Sequence, residues 1–287
     1  MKSIQKLVVV FCLSLLVFTF ACDKSNDSDS LTLLSKITYV VDDVTDEVVT
    51  FEYDSQNRLV KTISSMDAIR IETQIAYFTD GKVSQEFVLR NGLENNKIIY
   101  TWTTNTLTEV KWYKDESNVW IEGDIKSVSD FNSDGHIVKN QYFYKQNNVW
   151  INDSYALYTW LNGNLEKRES WRIESRKNSS FAQVIKKFEM RAFDAGLKTL
   201  NDTKYAVYTY IYDDKNNPLS DNIGFLPYRN RNNITKLTVS YPNEADWISN
   251  YTYEYNSSNF PTKKTVSWTK LDGSIYTETA IFEYTTR

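Results

Sequence analysis

The chain has 287 residues, with 33 Lys and Arg against 37 Asp and Glu, 15% aromatic residues and only eight glycines. The slight acidic excess and the lack of a polybasic run argue against a nucleic-acid partner, because phosphate recognition needs a concentrated positive field. Its two cysteines, Cys12 and Cys22, both lie near the N-terminus. The remainder therefore offers no thiol for a disulfide, a zinc site or a nucleophile, and no cofactor or metal motif is expected.

The first residues are not part of the fold. Lys2 and Lys6 make a basic start, Leu7 to Ala21 is almost wholly apolar, and Ala21-Cys22 ends the run. This is the order of a secretory signal, and the apolar run is short for a membrane span of about 20 residues. The Ala-Cys ending resembles a bacterial lipoprotein signal. The resemblance implies that residues 1–21 are removed and that Cys22 is acylated, anchoring the chain to a membrane. Residues 22–30 read as a flexible acidic and serine-rich tether, too polar to order itself. Its acids, Asp23, Asp27 and Asp29, resemble the export tag of Bacteroidota surface lipoproteins, which implies the outer membrane and an outward orientation. Without Lys2 and Lys6 the basic residues number 31 against 37 acids, a net charge near −6.

From residue 31 to 287 the sequence reads as one domain of strands. Ile37–Val41, Val48–Tyr53, Ile69–Phe78, Val83–Leu89, Lys97–Thr103 and Leu107–Tyr113 are rich in β-branched and aromatic residues. Turn signals separate them, among them Asp80-Gly81 and Asn57, where a positive φ is needed. From Trp112 to Trp171 a unit is repeated: Lys114-Asp115-Glu116-Ser117-Asn118-Val119-Trp120-Ile121 returns as Lys145-Gln146-Asn147-Asn148-Val149-Trp150-Ile151, the tryptophans thirty residues apart. Such a period marks a supersecondary unit that cannot bury its apolar face without its neighbours. Phe181–Phe193 is read as a strand ending at Asp194-Ala195-Gly196. Tyr205–Tyr212, Ile234–Tyr241, Trp247–Tyr255, Lys263–Lys270 and Ser274–Tyr284 follow, with Asp272-Gly273 joining the last pair. The expected fold is all-β: a continuous antiparallel meander of repeated β-hairpins, about fifteen or more strands, curling into an open shell or incomplete barrel because so long a sheet cannot stay flat.

Two stretches carry a resemblance. Tyr53-Asp54-Ser55-Gln56-Asn57-Arg58-Leu59 resembles the tyrosine-aspartate repeat of Rhs-type shell proteins. Tyr210 to Leu219, Asn232 to Lys236 and Tyr251 to Lys263 resemble the C-terminal part of a group of Bacteroidota lipoproteins of unknown function. The resemblance implies architecture and lineage and transfers no catalytic residue.

Chemistry is sparse. His136 follows Asp134-Gly135 in a turn and has neither orienting partner nor nucleophile in the pattern, so it reads as an exposed turn residue. Glu122 and Asp124 share a strand face by period two, a spacing that any solvated face shows. The aromatic residues say more. Trp120, with Glu122 and Asp124, opposes Val119, Ile121 and Ile125; Trp150, with Asn152 and Ser154, opposes Val149 and Ile151. Both tryptophans thus fall on the more polar face, where they form either a platform for sugar rings or clamps between neighbouring hairpins. A bulge at Gly123 would reverse the face beyond it. The stripes Tyr208, Tyr210, Tyr212 and Tyr251, Tyr253, Tyr255 read as core or sheet cover. The functional expectation is a non-catalytic binding module for a glycan or another surface macromolecule. The alternatives are a structural or assembly component of the envelope, or a glycoside hydrolase built on two carboxylates.

Overall fold

The computed structural model describes residues 31–173, 202–220, 230–269 and 275–287. The expected signal and tether with Cys22, the strand Phe181–Phe193 and the turns Asp194-Ala195-Gly196 and Asp272-Gly273 lie outside the described residues.

Sixteen strands follow in order: β1 Thr32–Val41, β2 Val44–Tyr53, β3 Leu59–Met66, β4 Ile69–Tyr77, β5 Val83–Arg90, β6 Leu93–Trp102, β7 Thr106–Lys114, β8 Trp120–Phe131, β9 Ile137–Gln146, β10 Val149–Leu161, β11 Asn164–Arg172, β12 Thr203–Asn216, β13 Asn232–Ser240, β14 Trp247–Tyr255, β15 Pro261–Thr269 and β16 Ile275–Thr286. Each pairs antiparallel with the strand before it, as the meander expectation required. The expectation of an open shell or incomplete barrel is overturned: β1 also pairs with β16, from Thr32↔Thr286 to Val41↔Glu278, and the sheet is a closed barrel. Closure removes two long edges whose unpaired N–H and C=O groups would otherwise recruit another chain. The Leu31 and Arg287 backbones complete the seam by exchanging hydrogen bonds of 2.9 and 3.0 Å.

Among the described residues, the even-to-odd connections, Leu31 and Arg287 lie at one rim, here called the base; the odd-to-even connections lie at the far rim. Two-residue turns dominate the far rim, with positive φ at Asp42-Asp43, Asn91-Gly92 and Asn147-Asn148, the backbone that a tight hairpin needs. At the base a five-residue turn recurs. In Asp54–Arg58, Asn132–His136 and Asn256–Phe260 the first side chain accepts the N–H groups of the third and fifth residues, at 2.8–3.1 Å. The fourth residue, Asn57, Gly135 or Asn259, has a positive φ. These side chains do locally what a backbone turn would do, which is why Asp and Asn begin the motif.

The base is tied together by a ring of side chains generated from the same unit. An aromatic residue late in each even strand donates to a carbonyl at the start of the preceding odd strand: Tyr53 to Leu34, Tyr77 to Leu59, Trp102 to Val83, Trp160 to Ile137, Tyr212 to Leu165, Tyr253 to Ile234 and Tyr284 to Pro261, at 2.6–2.9 Å. β8 carries Phe131 at this place, which has no donor and stacks on Trp102 instead, with centroids 5.9 Å apart. Between the rings sit Leu33, Leu59, Val83 and Ile137, all fully buried, each contributing about 1.5–3 kcal/mol by burial. Leu219, beyond β12, packs against this core. Asn230 fastens that connection to β11 by accepting the Leu165 N–H at 2.8 Å.

His136 belongs to this ring. It is half-buried rather than exposed, and its imidazole stacks on Trp160 at 4.4 Å and 10°. Arg58 over Tyr77 and Lys82 over Trp102 fill the same place in their own units. The histidine is thus a cover for the next aromatic residue.

Candidate functional site

Alternation along the closed sheet assigns every strand residue to the lumen or to the outer wall. The lumenal face includes Tyr100, Glu86, Ser127, Ser129, Asn140, Ser170 and Ala206, all buried. The opposite face carries ion pairs, near the strand ends at Lys61, Arg70, Lys204 and Lys263 and further in at Lys36, Glu72 and Glu169. Lys36 pairs with Glu283 at 2.6 Å, Lys61 with Glu52 at 2.6 Å, Arg70 with Glu72 at 2.7 Å, Lys204 with Glu169 at 2.7 Å and Lys263 with Glu254 at 2.8 Å.

Trp120 and Trp150 stand on this outer wall, both half-exposed, in the half of the barrel nearer the far rim. They do not touch. Between them run Glu122 of β8 and Lys145 of β9, joined in an ion pair. Each indole lies between two ammonium groups: Lys97 and Lys114 at 4.8 and 5.4 Å from Trp120, Lys126 and Lys145 at 4.7 and 5.4 Å from Trp150. Phe87 meets Trp120 edge-on at 6.4 Å. Lys97 also covers Trp112, and Lys126 covers Phe143. The pattern continues onto β10, β11 and β12, where Tyr155 and Trp171 stack at 6.1 Å beneath Lys139 and Lys204. The result is a belt of half-exposed aromatic rings and lysines from β5 to β12, on one side of the barrel. Lys97, Lys126 and Lys139 contact rings and form no ion pair among the described residues.

The sequence pattern needs two adjustments here. The register shift opposite Gly123 moves the pairing from Val110↔Lys126 to Trp112↔Glu122, an offset of two that leaves Trp120, Glu122 and Lys126 on one face. A bulge at Asp153 instead shifts the register by one, from Asn152↔Phe143 to Ser154↔Tyr142. Ser154 therefore turns into the lumen, away from Trp150 and Asn152. Gly123 is required for a different reason: a Cβ there would lie 2.5 Å from the Lys111 carbonyl oxygen and 2.6 Å from the Tyr113 ring.

Sequence reasoning missed the lumenal carboxylates. Glu86 of β5 accepts a 2.8 Å hydrogen bond from the Tyr100 hydroxyl, and Glu109 of β7, paired directly across from Tyr100, accepts one of 2.6 Å from Ser127. Burial, then the charge of Glu109, pushes Glu86 up to about 8, while burial alone raises Glu109. Neither forms an ion pair among the described residues. The available signal was Glu86 itself, two residues before Val88 on the face that Val88 shares. The tyrosine stripes of β12 and β14 also line the lumen, where burial holds the Tyr210 and Tyr251 phenols above the ordinary tyrosine range.

Among solved structures, the barrel is similar to a porin-like protein from Bacteroides uniformis, with 13% identity, a TM-score of 0.51 and coverage of 88% of this chain and 98% of that one. A porin-like protein from Bacteroides vulgatus is 12% identical at a TM-score of 0.42, covering 88% of this chain and 99% of that one. At these identities the first likeness is one of architecture. No protein-family model matches the chain, and no curated protein matches it in sequence.

Proposed function

We propose that this chain is an exported, non-catalytic binding protein, anchored through acylated Cys22, whose barrel stands in water beside the outer membrane and takes an anionic surface glycan on its aromatic-lysine belt. The porin-like name of the Bacteroides uniformis barrel raises the alternative of a membrane-spanning channel. A spanning barrel needs an outward apolar band about 25 Å tall, and each Lys or Arg on its lipid face at mid-depth costs about 2–4 kcal/mol. Lys36, Glu72, Lys97, Lys126 and Glu169, which stand well inside their strands on the outer face, argue for a wall built for water.

The belt is the observation that carries the reading. Lys97, Lys126 and Lys139 hold their charges over aromatic faces, a contact worth about 0.5–1 kcal/mol at an exposed site. A carboxylate or sulfate on a polysaccharide draws each ammonium toward itself at small cost, and the uncovered ring then receives the apolar face of the neighbouring sugar. Cys22 and its acidic tether supply the address, and Leu31 and Arg287 lie at the base, so the anchor leaves the belt accessible.

The test is binding of polygalacturonate to the mature barrel, with neutral dextran as the control. Replacing Lys97, Lys126 and Lys139 together by alanine is expected to abolish binding that is salt-sensitive in the wild type. Trp120→Ala with Trp150→Ala should weaken binding at about 1–3 kcal/mol per stacking contact, by analogy with bases on aromatic rings, and leave the melting temperature nearly unchanged. A large loss of stability, about 3–5 kcal/mol per packed indole, together with a wild type that ignores polygalacturonate, would identify the tryptophans as hairpin clamps. That outcome favours an envelope structural protein.

A further inference from the structure

A second constellation lies inside the barrel at the far rim, on the side opposite the belt. Trp268 of β15 and Tyr276 of β16 are cross-strand partners whose rings pack at 4.2 Å and 34°. Trp247, at the start of β14 and 41% exposed, meets Trp268 edge-on at 6.3 Å. One step deeper along the same lumenal face are Glu278 and Val266, then Lys264 and Ala280, which pair across β15 and β16. Tyr39 of β1 faces Ala280 on one side and Glu47 of β2 on the other. The Lys264 ammonium stands 5.9 Å from the Tyr39 ring. A tryptophan-rich entrance thus leads to two carboxylates and a single lysine.

Glu47 makes the arrangement more than an acidic cluster. It is 1% exposed. One carboxylate oxygen accepts the Ser64 hydroxyl, while the other, Oε2, is buried and has no hydrogen-bond partner among the described residues. A buried carboxylate oxygen left in this way keeps its full desolvation cost, larger still if charged, and such a group calls for an explanation such as an ion or ligand. Lys264 acts electrostatically on Glu278 and no such influence reaches Glu47, whose charged neighbours are Asp46 and Glu278. The missing element is a positive charge beside Glu47, under an aromatic entrance.

We propose that this lumenal pocket binds a small primary-ammonium ligand, its cation between Glu47 and Glu278 and its apolar body against Trp268 and Tyr276. Aromatic faces attract ammonium groups through their quadrupole, and charge-assisted hydrogen bonds to carboxylates are the stronger class. β-Barrel interiors near a rim are common places for such sites. The site is independent of the outer belt, which shares no residue with it.

Glucosamine is the probe, titrated into the full mature barrel with binding read by calorimetry and by tryptophan fluorescence. N-acetylglucosamine, which keeps the ring and removes the charge, is the control. Glucosamine is expected to bind and to change the fluorescence, and N-acetylglucosamine to bind about tenfold more weakly or not at all. Glu47→Gln and Glu278→Gln should each weaken glucosamine by about tenfold; the melting temperature stays at or above the wild-type value in Glu47→Gln, which removes a buried carboxylate, and falls in Glu278→Gln, which leaves Lys264 without its counter-charge. Trp268→Phe should keep binding and lose most of the fluorescence change. Equal binding of the two sugars, wild-type affinity in both glutamine variants, or no response to glucosamine overturns the proposal. The belt variant with Lys97, Lys126 and Lys139 replaced by alanine should bind glucosamine normally, so failure here and failure of the belt are separate results.

Discussion

Stability should fall as the pH rises through neutrality, and Glu86 is the group to test. It is 2% exposed, and its carboxyl is pushed from an ordinary 4.5 to about 8, first by burial and then by Glu109. The folded chain therefore holds a proton that the unfolded chain releases. Below about pH 4.5 both states are protonated and the group contributes nothing to the difference. Between 4.5 and 8 the unfolded state binds fewer protons, so unfolding becomes progressively easier with pH, and above 8 the loss is complete. The shift of 8 − 4.5 corresponds to about 5 kcal/mol at about 1.4 kcal/mol per unit, a large share of the roughly 5–15 kcal/mol that holds a typical fold. Glu109, Glu47 and Glu278 are raised as well and act in the same direction. Glu86→Gln isolates the largest part, because the amide keeps the shape and can still accept from Tyr100. Urea unfolding of wild type and Glu86→Gln at pH 5 and pH 8.5 should give similar midpoints at the lower pH and a clearly more stable variant at the higher. A wild type whose stability is flat or rising over this interval, or a variant offset by the same amount at both values, would refute the reasoning.

Gly123→Ala should destabilise the barrel by about 1–3 kcal/mol in urea or thermal unfolding, since the new methyl would press on the Lys111 carbonyl and the Tyr113 ring. Leu59→Ala, at a fully buried position in the base, should cost about 2–5 kcal/mol, whereas Tyr77→Phe, which removes only the hydroxyl that Leu59 accepts, should cost about 1 kcal/mol. The chain from residue 31 onward should refold and remain monomeric in detergent-free buffer and fail to enter liposomes, as size-exclusion chromatography and flotation would show.

Local chemistry was legible and global closure was not. Alternation placed the strands because one face of each is lumenal, and Asn57, Asp80-Gly81 and Asn132 to Gly135 marked turns because a positive φ or an Asx hydrogen bond is a property of a few adjacent residues. The seam between β1 and β16 joins Thr32 to Thr286, and no window of sequence holds both. The placement of Trp120 and Trp150 on the polar face followed from period two, and the outer wall is that face. Period two failed at Ser154, where a single extra residue, Asp153, reverses the direction of everything after it. The lysines over the indoles were invisible for a different reason. Lys97 of β6 and Lys126 of β8 reach Trp120 of β8 and Trp150 of β10 across the intervening strands β7 and β9, so their contacts exist only once the register does.

The two ends of the barrel are built on opposite principles. At the base, aromatic hydroxyl and indole N–H groups bind the carbonyls of one hairpin after another, and buried leucine, valine and isoleucine fill the space between them. At the far rim four of the even strands begin with strongly exposed apolar residues: Val44 at 66%, Leu93 at 75%, Val149 at 61% and Ile275 at 72%. Inside that rim stand Trp268 and Tyr276, and outside it, on β5 to β12, runs the lysine-covered belt. Trp120 and Trp150 of the belt and Trp268 and Tyr276 in the lumen thus all stand toward the end remote from Leu31. With Cys22 acylated as proposed, residues 23 to 30 would span at most about 28 Å when extended, and Leu31 at the base would put that rim toward the membrane and the far rim away from it.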